Sequence, residues 1–219
     1  MSENTPIWTE QDFADQSNVP RGTLLDYVQW YGLLRKWNAR INLVAAREID
    51  HFWHRHAYDS WQLNAHLPQD WTTLVDLGSG GGFPGLALGI YAKQIGVGVQ
   101  ATPKSVHLVE SIGKKTSFLK TVARELKLPV TVHTARIEDL PPLGADVMTA
   151  RAFAPLPKLF DYAAPHLKPA SVLILPKGET ANKEIEEARK HWLFDVEAFK
   201  SVTESSASIL RVVNLRRKP

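Results

Sequence analysis

The segment LVDLGSGGGFPGLALGI, Leu74 to Ile90, limits the possible folds more than any other part of the chain. It joins two apolar runs through five glycines within the eight positions from Gly78 to Gly85. Glycine accepts backbone conformations closed to other residues and lets a ligand approach the main chain. A buried strand, a glycine-rich turn and a helix with Pro84 in its first turn predict a βα unit with a ligand at the carboxyl end of its strand. A tight turn with no ligand would not need so many glycines.

The rest of the chain supplies the sheet around this unit. Strands are predicted at TTLVDL, SVHLVE, VTVHTA, ADVMTA, SVLILPK, FDVEAF and ILRVVNL, with helices between most of them. That alternation predicts an α/β fold with a mostly parallel seven-stranded sheet covered on both faces, Rossmann-like, the last two strands forming an edge hairpin. Before it, Thr23 and Asp26 read as a capping box opening a helix. Leu24, Tyr27, Val28, Tyr31 and Leu34 follow at helical spacing. A second helix is expected from about Glu48 to Leu67, ending at Pro68. The predicted organisation is an N-terminal helical cap, residues 1–70, on a core of residues 71–219, as one structural unit. The 219 residues, 44% hydrophobic with seven Trp, suffice for one such core.

The chain has no cysteine, which excludes disulfides, thiolate metal sites and a Cys nucleophile. Its first residues are polar and acidic, unlike a signal peptide, and no apolar run approaches the roughly 20 residues of a membrane span. A cytoplasmic protein without membrane contact is expected. The net charge of +3 is compatible with a nucleic-acid partner.

Gly80, Gly82 and Gly85 match GxGxxG, so a dinucleotide is one candidate ligand. Asp76 would repel a pyrophosphate, and Pro84 removes an N–H that would bind one. S-adenosylmethionine, with a cationic end and no phosphate, fits better. Gly78, Gly80 and Gly82 would accommodate its amino-acid part. Asp76, expected at a wetted strand end, would lie near the ammonium, and Glu110, ending the second strand, would accept hydrogen bonds from the ribose. Ile137 can pack on the adenine or be ordinary core, and Glu138 can read the adenine edge.

Methylation at pyrimidine C5 usually needs a Cys nucleophile. Amino-nitrogen methylation typically uses [DNS]-P-P-[YFW] after the fourth strand, where this chain has ARAFAPL. A nitrogen with a free lone pair, such as guanine N7, needs neither device; oxygen, small-molecule and protein acceptors stay open. Arg151, directly after the fourth strand, is the candidate catalytic residue, able to bind a phosphate or the guanine O6 edge, with a surface ion pair as the alternative. Lys177 faces the same mouth, and Lys114 and Lys115 open a helix beside it, as candidate RNA contacts or as a solvated basic face. His51, His54 and His56 lack the i, i+4 spacing of a helical zinc motif, so no metal is expected. Arg55, His56 and Asp59 are expected in an RNA-facing or inter-helix polar network.

These residues bring a resemblance with them. KWNARINLVA (Lys36 to Ala45), RHAYDS (Arg55 to Ser60), the glycine segment, HLVESIGKKTSFL (His107 to Leu119) and RAFAPL (Arg151 to Leu156) resemble the small-subunit rRNA guanine-N7 methyltransferases, the RsmG family, from about Thr23 onward. The resemblance implies an S-adenosylmethionine-dependent methyltransferase fold and N7 methylation of one guanine in 16S rRNA, as naked RNA or in a small-subunit assembly intermediate. It implies that Gly78 and Phe83 lie in the cofactor loop, that Ile137 and Glu138 lie at the adenine, and that Arg151 completes the site. It marks Asn38, Asn42, His56 and Asp59 as cap motif residues without assigning their roles. A monomer is expected. The chain departs from the family at Gly81-Gly82-Phe83, in LPKG at the residue before Lys177, and in a longer stretch from Ile95 to Lys104. A small-molecule or protein methyltransferase, a nicotinamide-dependent oxidoreductase and an inactive RNA-binding module are the rival readings.

Overall fold

The computed structural model describes residues 7–96 and 102–219. Residues 97–101, where the expected lengthening between Ile95 and Lys104 falls, lie outside the described residues. Seven strands form one sheet: β1 (Thr73–Leu77), β2 (Ser105–Glu110), β3 (Val130–Thr134), β4 (Ala145–Ala150), β5 (Leu167–Lys177), β6 (Trp192–Lys200) and β7 (Ser208–Arg217). Their order is β3-β2-β1-β4-β5-β7-β6. The first five run parallel, and β7 runs antiparallel to both β5 and β6. The connections change direction between β1 and β4, and the crevice beyond that point is where α/β sheets of this kind take ligands.

The helices are α1 (Glu10–Ser17), α2 (Arg21–Asn38), α3 (Asp59–Trp61), α4 (Gly85–Ile95), α5 (Gly113–Glu125), α6 (Leu156–Ala163) and α7 (Ala181–Ala188). Among the described residues none is long and apolar enough to cross a membrane. Successive residues of a strand point to opposite faces. Leu74, Leu108 and Val147 therefore join one core with residues of α2, α4 and α5, and Val75, Leu77 and Met148 join another with residues of α6 and α7.

The N-terminal helices share the first of these cores. Phe13, Tyr27, Trp30 and Phe52 are fully buried there, and Trp30 stacks on Phe83 of the glycine segment at 4.8 Å. The capping box sits elsewhere than expected. Thr9 and Asp12 form it and open α1, with Thr9 N donating to Asp12 Oδ2 at 2.7 Å and Asp12 N to Thr9 Oγ1 at 3.2 Å. Thr23 and Asp26 lie inside α2 and fasten it to α4. Thr23 Oγ1 donates to Gln94 Oε1 at 2.9 Å, and Lys93 Nζ reaches Asp26 at 2.8 Å.

The helix expected from about Glu48 to Leu67 is instead a series of short pieces. A 3₁₀ turn (Ala46–Glu48) leads to a π-helix (Phe52–Tyr58), then α3 and a second 3₁₀ turn (Gln62–His66). A π-helix is wider than an α-helix and recurs at functional sites. Here it buries Phe52, Trp53, His54 and His56 together.

Asn38 ends α2 and holds the turn that follows. Its Oδ1 accepts from Leu43 N at 2.8 Å and Val44 N at 3.0 Å, and its Nδ2 donates to Val44 O at 3.1 Å. Asn38→Ala is expected to lower stability by about 2 kcal/mol, from two backbone donors left without this partner. Urea unfolding measures it; an unchanged midpoint would mean the turn is held by other contacts.

Candidate active site

Three glycines make the turn after β1. Gly78, Gly80 and Gly82 have φ of 66°, 53° and 97°, where a Cβ is strained. Gly78 N and Ser79 N donate to Val109 O at 2.9 and 3.2 Å, which ties the turn to β2. Glu110 adds two bonds: Gly80 N donates to its Oε2 at 3.1 Å and Ile112 N to its Oε1 at 2.8 Å. A carboxylate oxygen has further lone pairs, so this buried side chain can hold the turn and still accept a bond from a ligand hydroxyl.

Two cavities open at the carboxyl ends of the strands. The smaller, about 430 Å³, is lined by Gly78, Glu110, Lys115, Ile137 and Glu138. The larger, about 710 Å³, is lined by Arg55, His56, Asp59, Arg151 and Lys177. Both fall in the size range of small-molecule sites. Phe153, Ala154 and Pro155 line both, so the cavities meet across this short loop.

Arg151 follows β4 directly and is held on several sides. Its Nη1 donates to Asp59 Oδ2 at 3.2 Å and to Arg55 O at 3.4 Å; its Nη2 lies 3.4 Å from His56 Nδ1, and the guanidinium sits 5.2 Å from the centre of the Phe83 ring. Asp59 in turn accepts from Thr203 Oγ1 at 2.6 Å and Gln62 Nε2 at 2.9 Å. α3, the end of β4 and the β6–β7 turn are thereby joined at one carboxylate. Burial, with Arg151 and Arg55 nearby, pushes His56 down to about 3, so its ring is neutral at physiological pH. Arginine offers only donors. Nδ1 is therefore the acceptor, and the proton sits on Nε2, which is buried and has no hydrogen-bond partner among the described residues.

Several residues stand away from their expected places. Asp76 is fully buried rather than wetted, and it lines neither cavity. Alternation along β1 turns it towards α4: a Cβ on Gly85 would lie 2.5 Å from its Oδ2. Its Oδ1 accepts from Thr149 Oγ1 at 2.9 Å. Burial pushes its carboxyl up to about 6, against the opposing pull of the Thr149 bond and the Arg151 charge. Gly80, Gly82 and Phe83 shape the turn without lining either of these two cavities, and Phe83 is buried between Trp30 and the His56 ring, 4.5 Å away. Lys177 lines the larger cavity, but its ammonium is engaged by Glu184 Oε2 at 2.8 Å and Ala154 O at 2.9 Å. Lys114 is exposed on the first turn of α5 and lines neither cavity.

Sequence reasoning passed over Phe153, Thr203 and Glu184. Phe153 could have been singled out, since it lies two residues after Arg151. Thr203 and Glu184 carry no local signal, because contacts distant in sequence bring them in.

The fold is similar to that of solved methyltransferases. A SAM-dependent methyltransferase from Aquifex aeolicus superposes with a TM-score of 0.55 at 14% identity, over 72% of this chain and 90% of that one. M. jannaschii TYW2, solved in complex with AdoMet, superposes with a TM-score of 0.53 at 16% identity, over 82% of this chain and 80% of that one. Sequence similarity is closer. Proteins named ribosomal RNA small subunit methyltransferase G are 44% identical in Rhodospirillum centenum, over 94% of this chain and 91% of the relative, and 45% identical in Cereibacter sphaeroides, over 93% and 97%. Residues 24–213 match the family model for this group, and the chain belongs to the rRNA small subunit methyltransferase G family.

Proposed function

We propose that this protein transfers a methyl group from S-adenosylmethionine to N7 of one guanine in 16S rRNA, guanine 527 in the usual rRNA numbering. The observation that carries this reading is the pair of cavities meeting at Phe153–Pro155, one bordered by the glycine turn and the other by Arg151. We take residues 1–70 as a helical cap that walls the larger cavity and residues 71–219 as the methyltransferase core.

The smaller cavity suits the methyl donor. Gly78 presents bare backbone at its wall, Glu110 offers lone pairs to a ribose, and Ile137 and Glu138 give an apolar surface beside a polar edge. When bound, S-adenosylmethionine supplies an electrophilic methyl on its sulfonium. Guanine N7 has a lone pair and no proton to lose, so the chain needs no general base and its task is positioning. Arg151, braced by Asp59, the Arg55 carbonyl and His56, presents a fixed guanidinium to the O6 edge or a flanking phosphate. Lys115 and the exposed Lys114 supply charge for the RNA backbone.

The test is transfer of labelled methyl to 16S rRNA, naked and in small-subunit particles, with the labelled base mapped by nuclease digestion. Label on N7 of a single guanine is expected, by a monomer in solution. Label on another atom or on protein would overturn the reading. Gly78→Ala tests the cofactor side. Its left-handed φ of 66° strains a Cβ by about 1–2 kcal/mol, and that Cβ would lie 2.5 Å from Phe153 Cδ2. The strain lowers stability with or without ligand, whereas the clash pushes the Phe153 ring that lines the smaller cavity, and affinity for S-adenosylmethionine is expected to fall about tenfold by calorimetry, a loss of about 1.4 kcal/mol. Unchanged affinity in the folded variant would move the cofactor off this wall.

A further inference from the structure

We infer that Phe153 is the platform on which the target base stacks, and so a substrate-binding residue of the reaction; this rests on the function proposed above. A nucleobase brought out of its RNA context loses its stacking neighbours, and proteins replace them with aromatic faces. Phe153 is the one Phe, Tyr or Trp among the described residues lining the larger cavity. The nearby Phe83 cannot serve, because it is 5% exposed and lies between Trp30 and His56, with Arg151 5.2 Å from its centre. His56 lines the cavity, but its ring is stacked on Phe83.

Phe153 differs on each count. It is 36% exposed, among the few large apolar side chains left open to solvent. It lines the smaller cavity as well as the larger one, so a base resting on it lies at the junction between donor and acceptor. Its direction is set by the backbone. Ala152 just before it has φ of 51°, a conformation a non-glycine residue adopts only when its surroundings impose it. One side of the ring packs on Gly78, and Tyr162 meets it edge-on at 5.6 Å, which fixes its tilt. Strained backbone, an open aromatic ring and a shared wall are hard to explain by packing alone, since a buried aliphatic residue would pack without strain.

The test uses full-length wild type, Phe153→Leu and Phe153→Tyr, with an rRNA fragment carrying the target guanine. A second fragment carries 2-aminopurine at that position, whose fluorescence is quenched on stacking. For Phe153→Leu, kcat/KM is expected to fall by about tenfold to a hundredfold, the range for losing one base–aromatic stack. Quenching of the 2-aminopurine fragment should be lost with it, any loss of calorimetric affinity for S-adenosylmethionine, whose cavity the ring also borders, should be much smaller than the fall in kcat/KM, and Phe153→Tyr should restore both readouts. Wild-type kcat/KM and quenching in Phe153→Leu would overturn the platform while leaving the proposed function standing. A loss of cofactor affinity that accounts for the whole fall would also overturn it, by assigning the ring to the donor. No methylation by wild type would overturn the proposed function and the platform together.

Discussion

Arg151→Ala is expected to slow single-turnover methyl transfer about a hundredfold while leaving the protein folded. The guanidinium is held on three sides, by Asp59, by the Arg55 carbonyl and by His56, and its remaining edge borders the larger cavity. If guanine N7 is the acceptor, as proposed above, no proton has to be removed and orientation of the acceptor is the main service the chain can give. One charge-assisted contact is worth about 2–3 kcal/mol, which is roughly the hundredfold stated. Folding should suffer less. The ion pair with Asp59 is partly exposed, and Asp59 keeps its bonds from Thr203 and Gln62. Arg151→Lys separates charge from geometry. It retains the charge but cannot make the same fork of contacts, so recovery of only part of the rate is expected. Wild-type turnover by Arg151→Ala would remove this residue from the active site.

Asp76→Asn is expected to flatten part of the pH dependence of stability. In the fold the carboxyl of Asp76 holds its proton up to about pH 6, against an ordinary value of 3.8. Below about pH 4 the group is protonated in both folded and unfolded chains and costs nothing. As pH rises from about 4 to 6, the unfolded chain releases the proton first and unfolding becomes easier; above the folded value the loss levels off. A difference of about two units corresponds to about 3 kcal/mol. Asparagine does not titrate, and its Oδ1 can still accept from Thr149. The variant should therefore gain about 3 kcal/mol on wild type between pH 4 and pH 7. Urea unfolding across that range reads the difference directly; parallel profiles would show that Asp76 ionises as freely in the fold as outside it.

The fold was legible because its signals are local and repeated. Seven apolar runs broken by turns and helices, with glycines after the first, leave few arrangements, and the observed sheet is the expected one with its hairpin at the edge. The candidate site was legible where its residues sit at strand ends. Glu110, Ile137 and Glu138 converge with Gly78 on one cavity because parallel strands place their carboxyl ends side by side. Asp76 was misread because the two apolar residues before it, Leu74 and Val75, do not show which face its acid takes; the neighbours of β1 decide that. The stretch from Glu48 to Leu67 was misread as one helix because a π-helix keeps enough apolar residues to imitate one. Lys177 looks free in sequence because Glu184, seven residues on, becomes its partner only through the turn into α7.

The place of β7 bears on when during its own synthesis the protein can become active. β6 leaves the ribosome before β7, yet β7 is the strand that lies between β5 and β6 in the finished sheet. Ala207, Ser208 and Ile209, at its start, line the larger cavity, and Thr203 just upstream braces Asp59. The five parallel strands and the glycine turn all precede β7 in the chain, but the wall around Arg151 stays incomplete until β7 has cleared the exit tunnel and inserted. A translation product stopped short of Ser208 would thus carry the glycine turn without the full wall of the larger cavity.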